Sequence, residues 1–184
     1  METPLAREDE PAAPGANASP GRHRMSPERE VQQVLARYVR AADARDGAAM
    51  SNLFTPDGQV ETYYVHAGKP ELIFVLSGRE AIAHAVSNLM KPHPDRGWSH
   101  HTTYDLIIEV DGDRATIDAQ FITYNVVGDA RPAEGWPAGT LGVQGKITPI
   151  ESGYYQPSLR QTEDGWKIAR HRILMDMPMA IPGA

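Results

Sequence analysis

Apolar residues recur at helical spacing in the first part of the chain that shows a clear pattern. Between Pro27 and Ala44 they form one stripe, which consists of Val31, Val34, Leu35, Tyr38, Val39 and Ala42. Intervals of three and four residues place such side chains on one face of an α-helix. Ser26 supplies an N-cap and Pro27 a first-turn proline. The pattern therefore predicts a first helix over residues 27–44.

Two further helices are predicted by the same reasoning. Asp46 is placed to cap a short helix in the segment GAAMSNLF. A third helix is predicted from Arg79 to Met90, because one face carries Ala81, Ile82, Ala85, Val86 and Leu89.

Runs of alternating and β-branched residues predict six strands in three hairpins. The first hairpin consists of TPDGQVETYYV, the loop HAGKPE and LIFVLSG. The second consists of HTTYDLIIEV, the turn DGD and RATIDAQFITYNVV. The third consists of GYYQPSLRQ, the turn EDG and WKIARHRILM. Residues 128–149 are rich in glycine and proline without a period, which predicts a flexible excursion. Helices come first and strands mostly last. This order predicts an α+β fold with the helices on one face of an antiparallel sheet.

Composition narrows the classes of function. The chain of 184 residues carries a net charge of −6 and no cysteine, which argues against nucleic-acid binding and excludes thiolate nucleophiles and cysteine zinc ligands. No run approaches the ~20 apolar residues of a membrane helix. Residues 1–25 are acidic, rich in proline and alanine and unlike a secretory signal, so we expect a disordered tail and a cytoplasmic protein. No glycine-rich phosphate loop or other cofactor motif is present, and we expect no cofactor.

Five local motifs occur in an order and spacing that resemble a known superfamily. They are RYVRAADARD (37–46), LFTPDGQV (53–60), SGREAI (77–82), HTTYDLIIEVDGDRAT (101–116) and EDGWKI (163–168). Residues 26–176 resemble the SnoaL-like branch of the nuclear transport factor 2-like superfamily, which includes scytalone dehydratase, bile acid 7-dehydratase and lindane dehydrochlorinase. The resemblance implies a cone-shaped fold of three helices on a curved, mostly antiparallel sheet. Fold alone does not determine function, because the superfamily also includes binding proteins.

The resemblance also implies a general base made of an aspartate and a histidine. Asp43 matches the aspartate at the end of the first helix, and His101, 11 residues before Gly112, matches the histidine of the third strand. Tyr38 matches a tyrosine five residues before the aspartate. A carboxylate that accepts one imidazole N–H leaves the other nitrogen free to remove a proton. Asp43 lies at the negative end of a helix, which is unfavourable unless a partner such as histidine is present.

The doublet His100 and His101 leaves an alternative open. Strand alternation places His100 in phase with the apolar residues Tyr104, Leu106, Ile108 and Val110. The distance to the DGD turn favours His101 instead. If His101 faces the pocket, the start of this strand must depart from plain alternation, as a β-bulge would cause.

Other residues are candidates for the pocket wall. Tyr63 matches a first-strand tyrosine of the family only after a shift of one residue. His171 has apolar neighbours, so it is a pocket candidate or a satisfied core residue. We expect no metal site, because adjacent strand residues diverge and no HxH or HxxxH spacing occurs.

Two hypotheses of different class remain for the whole protein. The first is a cofactor-independent lyase or isomerase, of dehydratase type, that acts on a small, largely apolar cyclic substrate. The second is a binding or assembly protein with the same fold, or the small subunit of a ring-hydroxylating dioxygenase. The resemblance implies a homodimer or homotrimer. Residues 177–184 form an extension that is either a pocket lid or disordered.

Overall fold

The computed structural model describes residues 25–179 of the chain. This part of the chain contains three α-helices, a π-helical turn and six β-strands. In chain order they are α1 (Pro27–Ala44), α2 (Gly47–Ser51), β1 (Phe54–His66), β2 (Lys69–Ser77), α3 (Arg79–His84) followed by a π-helical turn (Ala85–Leu89), β3 (Gly97–Asp111), β4 (Arg114–Gly128), β5 (Gly145–Thr162) and β6 (Gly165–Met175).

The strands form one curved sheet in the order β2-β1-β6-β5-β4-β3. All neighbours are antiparallel except β1 and β6, which are parallel. The sheet is therefore mixed but mostly antiparallel, and β2 and β3 are its edges. The predicted α+β architecture is confirmed. We call the sheet face that packs against α1 the inner face and the opposite one the outer face.

The first helix has the predicted bounds for the predicted reasons. The Ser26 hydroxyl accepts a hydrogen bond from the Arg29 amide at 3.3 Å, and proline occupies the first turn. The apolar stripe is buried against the inner face of the sheet. The most completely buried side chains of this core include Leu35, Met50, Phe54, Phe121 and Ile168.

Three details differ from the sequence prediction. The predicted excursion at 128–149 is too long at its C-terminal end, because β5 begins at Gly145 and pairs with the end of β4. The second helix ends at Ser51, and Phe54 already begins β1. The third helix is α-helical only as far as His84. A π-helical turn follows, closed by a bond from the Met90 amide to the Ala85 carbonyl at 3.1 Å.

Candidate active site

Asp43 lies in the last turn of α1, where a capping arginine offsets the negative helix end. Arg45 adopts the left-handed conformation (φ 56°) and its amide bonds the Ala41 and Ala42 carbonyls. Its guanidinium also donates to the Ala42 carbonyl at 2.6 Å and to the Lys91 carbonyl at 2.9 Å. These bonds satisfy the carbonyls that would otherwise repel a carboxylate at this position.

Asp43 and His101 form a doubly bonded pair. Oδ1 of Asp43 lies 2.6 Å from Nδ1 of His101 and accepts the His101 backbone N–H at 2.9 Å. That backbone N–H is available because β3 is an edge strand. The His101 side chain is 7% exposed and the Asp43 side chain 14%. An ionised carboxylate accepts a hydrogen bond from the N–H of Nδ1, which leaves Nε2 as the free, basic nitrogen.

His100 reaches the same carboxylate from the other side of the strand. Its Nδ1 lies 3.7 Å from Oδ2 of Asp43, beyond hydrogen-bond distance, and its side chain is 53% exposed. Asp43 sits at the strand edge, so both neighbours approach it although their side chains diverge. The His100 side chain is therefore mostly exposed to solvent and does not lie on the inner face.

A β-bulge explains why His101, and not His100, faces inward. Thr103 and Tyr104 pair with Phe121 and Gln120, but the next pair is Ile107 with Asp118. Asp105 and Leu106 together therefore oppose one residue of β4, and Asp105 has a φ of 50°. The odd-numbered residues Ser99, His101 and Thr103 face inward before the bulge, and Leu106, Ile108 and Val110 face inward after it. A departure from alternation is thus present, but it lies in the middle of β3 and not at the start of the strand, where it was predicted.

Three aromatic side chains form a cluster on the inner face of the sheet. Tyr38 meets His171 edge-on with ring centroids 4.5 Å apart, and it meets Tyr155 edge-on at 5.7 Å. Burial raises the pKa of both tyrosines, which keeps their hydroxyls protonated. Sequence reasoning found Tyr38 and His171 but missed Tyr155. The signal that could have found it is alternation along GYYQPSL, which places Tyr155 in phase with Leu159.

His171 is fully buried and neutral. It is 0% exposed, and burial lowers its pKa to about 3. Neither ring nitrogen has a hydrogen-bond partner among the described residues. Such a group is costly unless water or a ligand satisfies it. His171 therefore packs against Tyr38 in the interior, and its role as a pocket residue stays a prediction.

A polar row continues from His101 across the inner face. His101 pairs with Thr123 of β4, which in turn pairs with Glu151 of β5. Thr123 is 2% exposed, and its hydroxyl has no partner among the described residues. Glu151 is half-buried. Sequence reasoning missed both residues, because the pairing of β5 with β4 is not readable from either segment alone.

Tyr63 does not belong to this site, and its prediction as a pocket residue is wrong. β1 alternates regularly here, so Val60 and Thr62 face inward while Glu61 and Tyr63 face outward. On the outer face the Tyr63 hydroxyl donates to Glu61 at 2.6 Å, and Arg170 binds both carboxylate oxygens of Glu61 at 2.6 and 2.7 Å. These bonds hold the pKa of Glu61 below its ordinary value.

Two clefts lie elsewhere on the molecule. One of about 360 Å³ is lined by residues of β4, β5 and β6, including Arg114, Thr116, Ser158 and Arg160. Another, of about 220 Å³, is bordered by β1, β2, Pro178 and Met179. Neither includes Asp43 or His101. The start of the C-terminal extension thus borders the second cleft, whereas residues 180–184 of the predicted lid lie outside the described part.

Metal-ligand clusters and membrane-spanning helices are both absent from the described residues. In residues 25–179, no three histidine or acidic side chains are grouped as metal ligands would be. No helix in this range is long and apolar enough to cross a membrane.

Solved structures similar to this chain share its fold. A protein of unknown function from Mycobacterium tuberculosis is 26% identical, with a TM-score of 0.54, and the match covers 84% of this chain and 75% of that one. A candidate dehydratase of the NTF2-like family from Streptomyces avermitilis is 21% identical (TM-score 0.53; 82% and 97% covered). The beta subunit of a candidate aromatic-ring-hydroxylating dioxygenase from Novosphingobium aromaticivorans is 14% identical (TM-score 0.60; 84% and 92% covered). The last two matches show the fold alone.

The sequence itself matches a family. No curated protein matches it significantly. The SnoaL-like domain family, however, matches residues 23–172, which span all the helices and all but the end of the last strand. This match shows that the chain belongs to the SnoaL-like domain family, and its fold is that of NTF2-like structures.

Proposed function

We propose that the protein is a cofactor-independent lyase or isomerase of dehydratase type, with Asp43 and His101 as its general base. The observation that carries this proposal is the 2.6 Å contact between Asp43 Oδ1 and His101 Nδ1, reinforced by the backbone bond from the same residue. An ion pair with a purely structural role would not require the His101 ring to face inward. It would not require the β-bulge that turns this ring inward either.

In this proposal each partner of the pair has a separate role. Asp43 fixes the imidazole so that Nε2 is free, and it stabilises the imidazolium that forms when Nε2 takes a proton. No hydrogen bond to Nε2 is formed among the described residues, so this nitrogen is available to a substrate. Proton transfer by such a base contributes ~10²–10⁴-fold to the rate.

The surrounding side chains favour a small, uncharged, largely apolar cyclic substrate. Tyr38 offers a protonated hydroxyl that can orient the substrate. His171 offers a neutral imidazole whose burial disfavours any charge beside it. His100 is mostly exposed and lies outside this group of side chains.

The same fold supports a second candidate function, a non-catalytic binding or assembly protein. Its supporting observation is the outer face of the sheet, which exposes the apolar side chains of Tyr104, Ile107, Ile147 and Tyr154. We propose that a second copy of the chain covers this face in a homodimer or homotrimer. Self-association is compatible with both functions, so the function of the inner site must be tested separately. The small subunit of a dioxygenase would in addition need a separate large subunit.

A ligand screen tests the proposal. Thermal shift and turnover are measured with hydroxylated and halogenated cyclic compounds on the wild type and on the variants Asp43→Asn and His101→Ala. We expect at least one compound to be turned over by the wild type and by neither variant. Turnover that survives both substitutions contradicts the base, and ligands that bind without any turnover favour the binding protein.

A further inference from the structure

The cleft of about 360 Å³ lies on the outer face of the sheet, near the start of β4 and the end of β5. Two cross-strand pairs form its polar lining: Arg114 is opposite Arg160, and Thr116 is opposite Ser158. These side chains point away from α1, because Ala115, which lies between two of them in sequence, is buried on the inner face. Two guanidinium groups and two hydroxyls therefore share a cleft large enough for a small molecule.

The two arginines of the cleft are only partly neutralised. Residues directly opposite each other in antiparallel strands have Cβ atoms about 4.5–5.5 Å apart, and like charges in such pairs destabilise the sheet. Nη2 of Arg160 donates to both carboxylate oxygens of Asp57, at 2.9 and 3.0 Å. Arg114 forms no ion pair with any described residue, although Asp111 is its partner on β3. One of the two positive charges is thus left without a counter-charge.

Apolar groups complete the lining, and no acidic residue of the described part contributes to it. The remaining lining residues are Ala115, Leu159 and Ala169. Ala169 is the extra residue of a β-bulge in β6 and has no partner on β5. It contributes only a methyl group, so the arginines lie beside a short apolar wall. An organic anion can bury its apolar part against this wall, which a bare inorganic anion cannot do.

The acidic side chains of this region lie outside the cleft. Asp111 and Glu109 are on β3, opposite residues of β4 and therefore on the side of β4 that is away from β5. Among the described residues, Asp57 is the one carboxylate that binds a lining residue, and its side chain is 72% exposed. An exposed ion pair is weak, since water and salt screen it. Asp57 is therefore a weak competitor for Arg160.

We propose that this cleft binds a small organic carboxylate, whose charged group lies between Arg114 and Arg160. Guanidinium groups bind carboxylates through paired N–H donors, and the hydroxyls of Thr116 and Ser158 can donate further hydrogen bonds. The bound negative charge offsets the repulsion between the two arginines. The cleft and the candidate base lie on opposite faces of the sheet, so this inference does not depend on the proposed function.

Isothermal titration calorimetry with benzoate tests the inference. The wild type is compared with Arg114→Gln and with Arg40→Gln, which removes the same charge from the exposed side of α1. We expect saturable binding to the wild type and to Arg40→Gln, and a Kd roughly 10–100-fold higher for Arg114→Gln, because hydrogen bonds to the carboxylate are lost. Benzamide, the uncharged analogue, should bind more weakly than benzoate. No saturable binding of benzoate to the wild type, equal Kd values for the two variants, or benzamide bound as tightly as benzoate overturns the inference.

A variant with the opposite expected effect excludes a loss of folding as the cause. Asp57→Asn frees Arg160, so benzoate should bind roughly 2–5-fold more tightly. Asp95→Asn is the matched control, since this exposed residue precedes β3 at the end of the strand that is distant from the cleft. His101→Ala, on the inner face, should bind benzoate as the wild type does. Unchanged or weaker binding in Asp57→Asn, an equal gain in Asp95→Asn, or lost binding in His101→Ala contradicts the proposed site.

Discussion

Asp43 occupies an electrostatically unfavourable position that contacts with two other residues stabilise. A carboxylate at the negative end of α1 is repelled by the last carbonyls, but Arg45 caps these carbonyls and His101 donates to the carboxylate twice. The resemblance implied the pair, and the unfavourable position of the carboxylate at a helix end supported it. The sequence could not predict the cap, because a left-handed arginine has no signature in the chain. Tyr63 was mispredicted because a shift of one residue in a strand exchanges the two faces.

At the scale of single residues, the buried imidazole of His171 predicts that stability depends on pH. Its pKa is about 3 in the folded protein and 6.5 when exposed. The unfolded chain therefore binds more protons between these values, and stability falls as pH falls below 6.5. The free energy of unfolding should be about 2 kcal/mol lower at pH 5 than at pH 7 from this group.

Urea denaturation of the wild type and of His171→Phe at several pH values checks this prediction. Phenylalanine keeps an aromatic ring but cannot titrate. The fall in stability between pH 7 and pH 5 should be about 2 kcal/mol smaller in the variant than in the wild type. Glu61, whose pKa is lowered mainly by Arg170, adds to the acid sensitivity of both proteins alike. If the free energy of unfolding falls equally between pH 7 and pH 5 in the two proteins, His171 is not buried as a neutral group.

Among the elements, β3 carries the decisive feature of the site. Plain alternation along HHTTYDLII placed His100 inside, whereas the bulge at Asp105 and Leu106 reverses the phase and places His101 there. The sequence could only require such an irregularity, since Asp105 is one of several polar residues that could host it. Helix α1 was predictable throughout, because its caps and stripe are local signals. The pairing of Thr123 with Glu151 is a long-range contact and was not predictable.

The bulge predicts that two valine substitutions in β3 lower the free energy of unfolding by different amounts. Asp105 has a φ of 50°, which aspartate tolerates and a β-branched residue does not. Asp105→Val should lower the free energy of unfolding by roughly 1–2 kcal/mol more than Glu109→Val, an exposed control outside the bulge on the same strand. Urea midpoints measure the difference. If the two variants are equally stable, Asp105 does not hold the left-handed conformation and the phase of His101 needs another cause.

At the scale of the whole molecule, the two faces of the sheet carry different kinds of side chains. The order of elements in the sequence was enough to predict the α+β fold, and the motifs were enough to predict the family. Neither could show that the inner face carries the aromatic and polar site while the outer face carries an ion-pair network beside exposed apolar residues. That division depends on which residues of each strand pair across the sheet.

Exposure on the outer face predicts self-association. Ile107 is 65% exposed there, and Leu89, on the π-helical turn and outside the sheet, is 67% exposed. Sedimentation velocity at micromolar concentration should show a dimer or trimer for the wild type and for Leu89→Lys, and a smaller species for Ile107→Lys. A monomeric wild type, or a variant Ile107→Lys that assembles as the wild type does, contradicts the predicted interface.

The central claim is that His101, held by Asp43, is the base. Its most direct test compares the dehydration of 3-hydroxycyclohexanone to cyclohex-2-enone, followed by ultraviolet absorbance, in the wild type, His101→Ala and His100→Ala. His100 is the matched control, since it adjoins His101 and lies 3.7 Å from the same carboxylate. The predicted result is a rate ~10²–10⁴-fold lower in His101→Ala and close to the wild type in His100→Ala. Equal losses in the two variants, or none in His101→Ala, would contradict the claim.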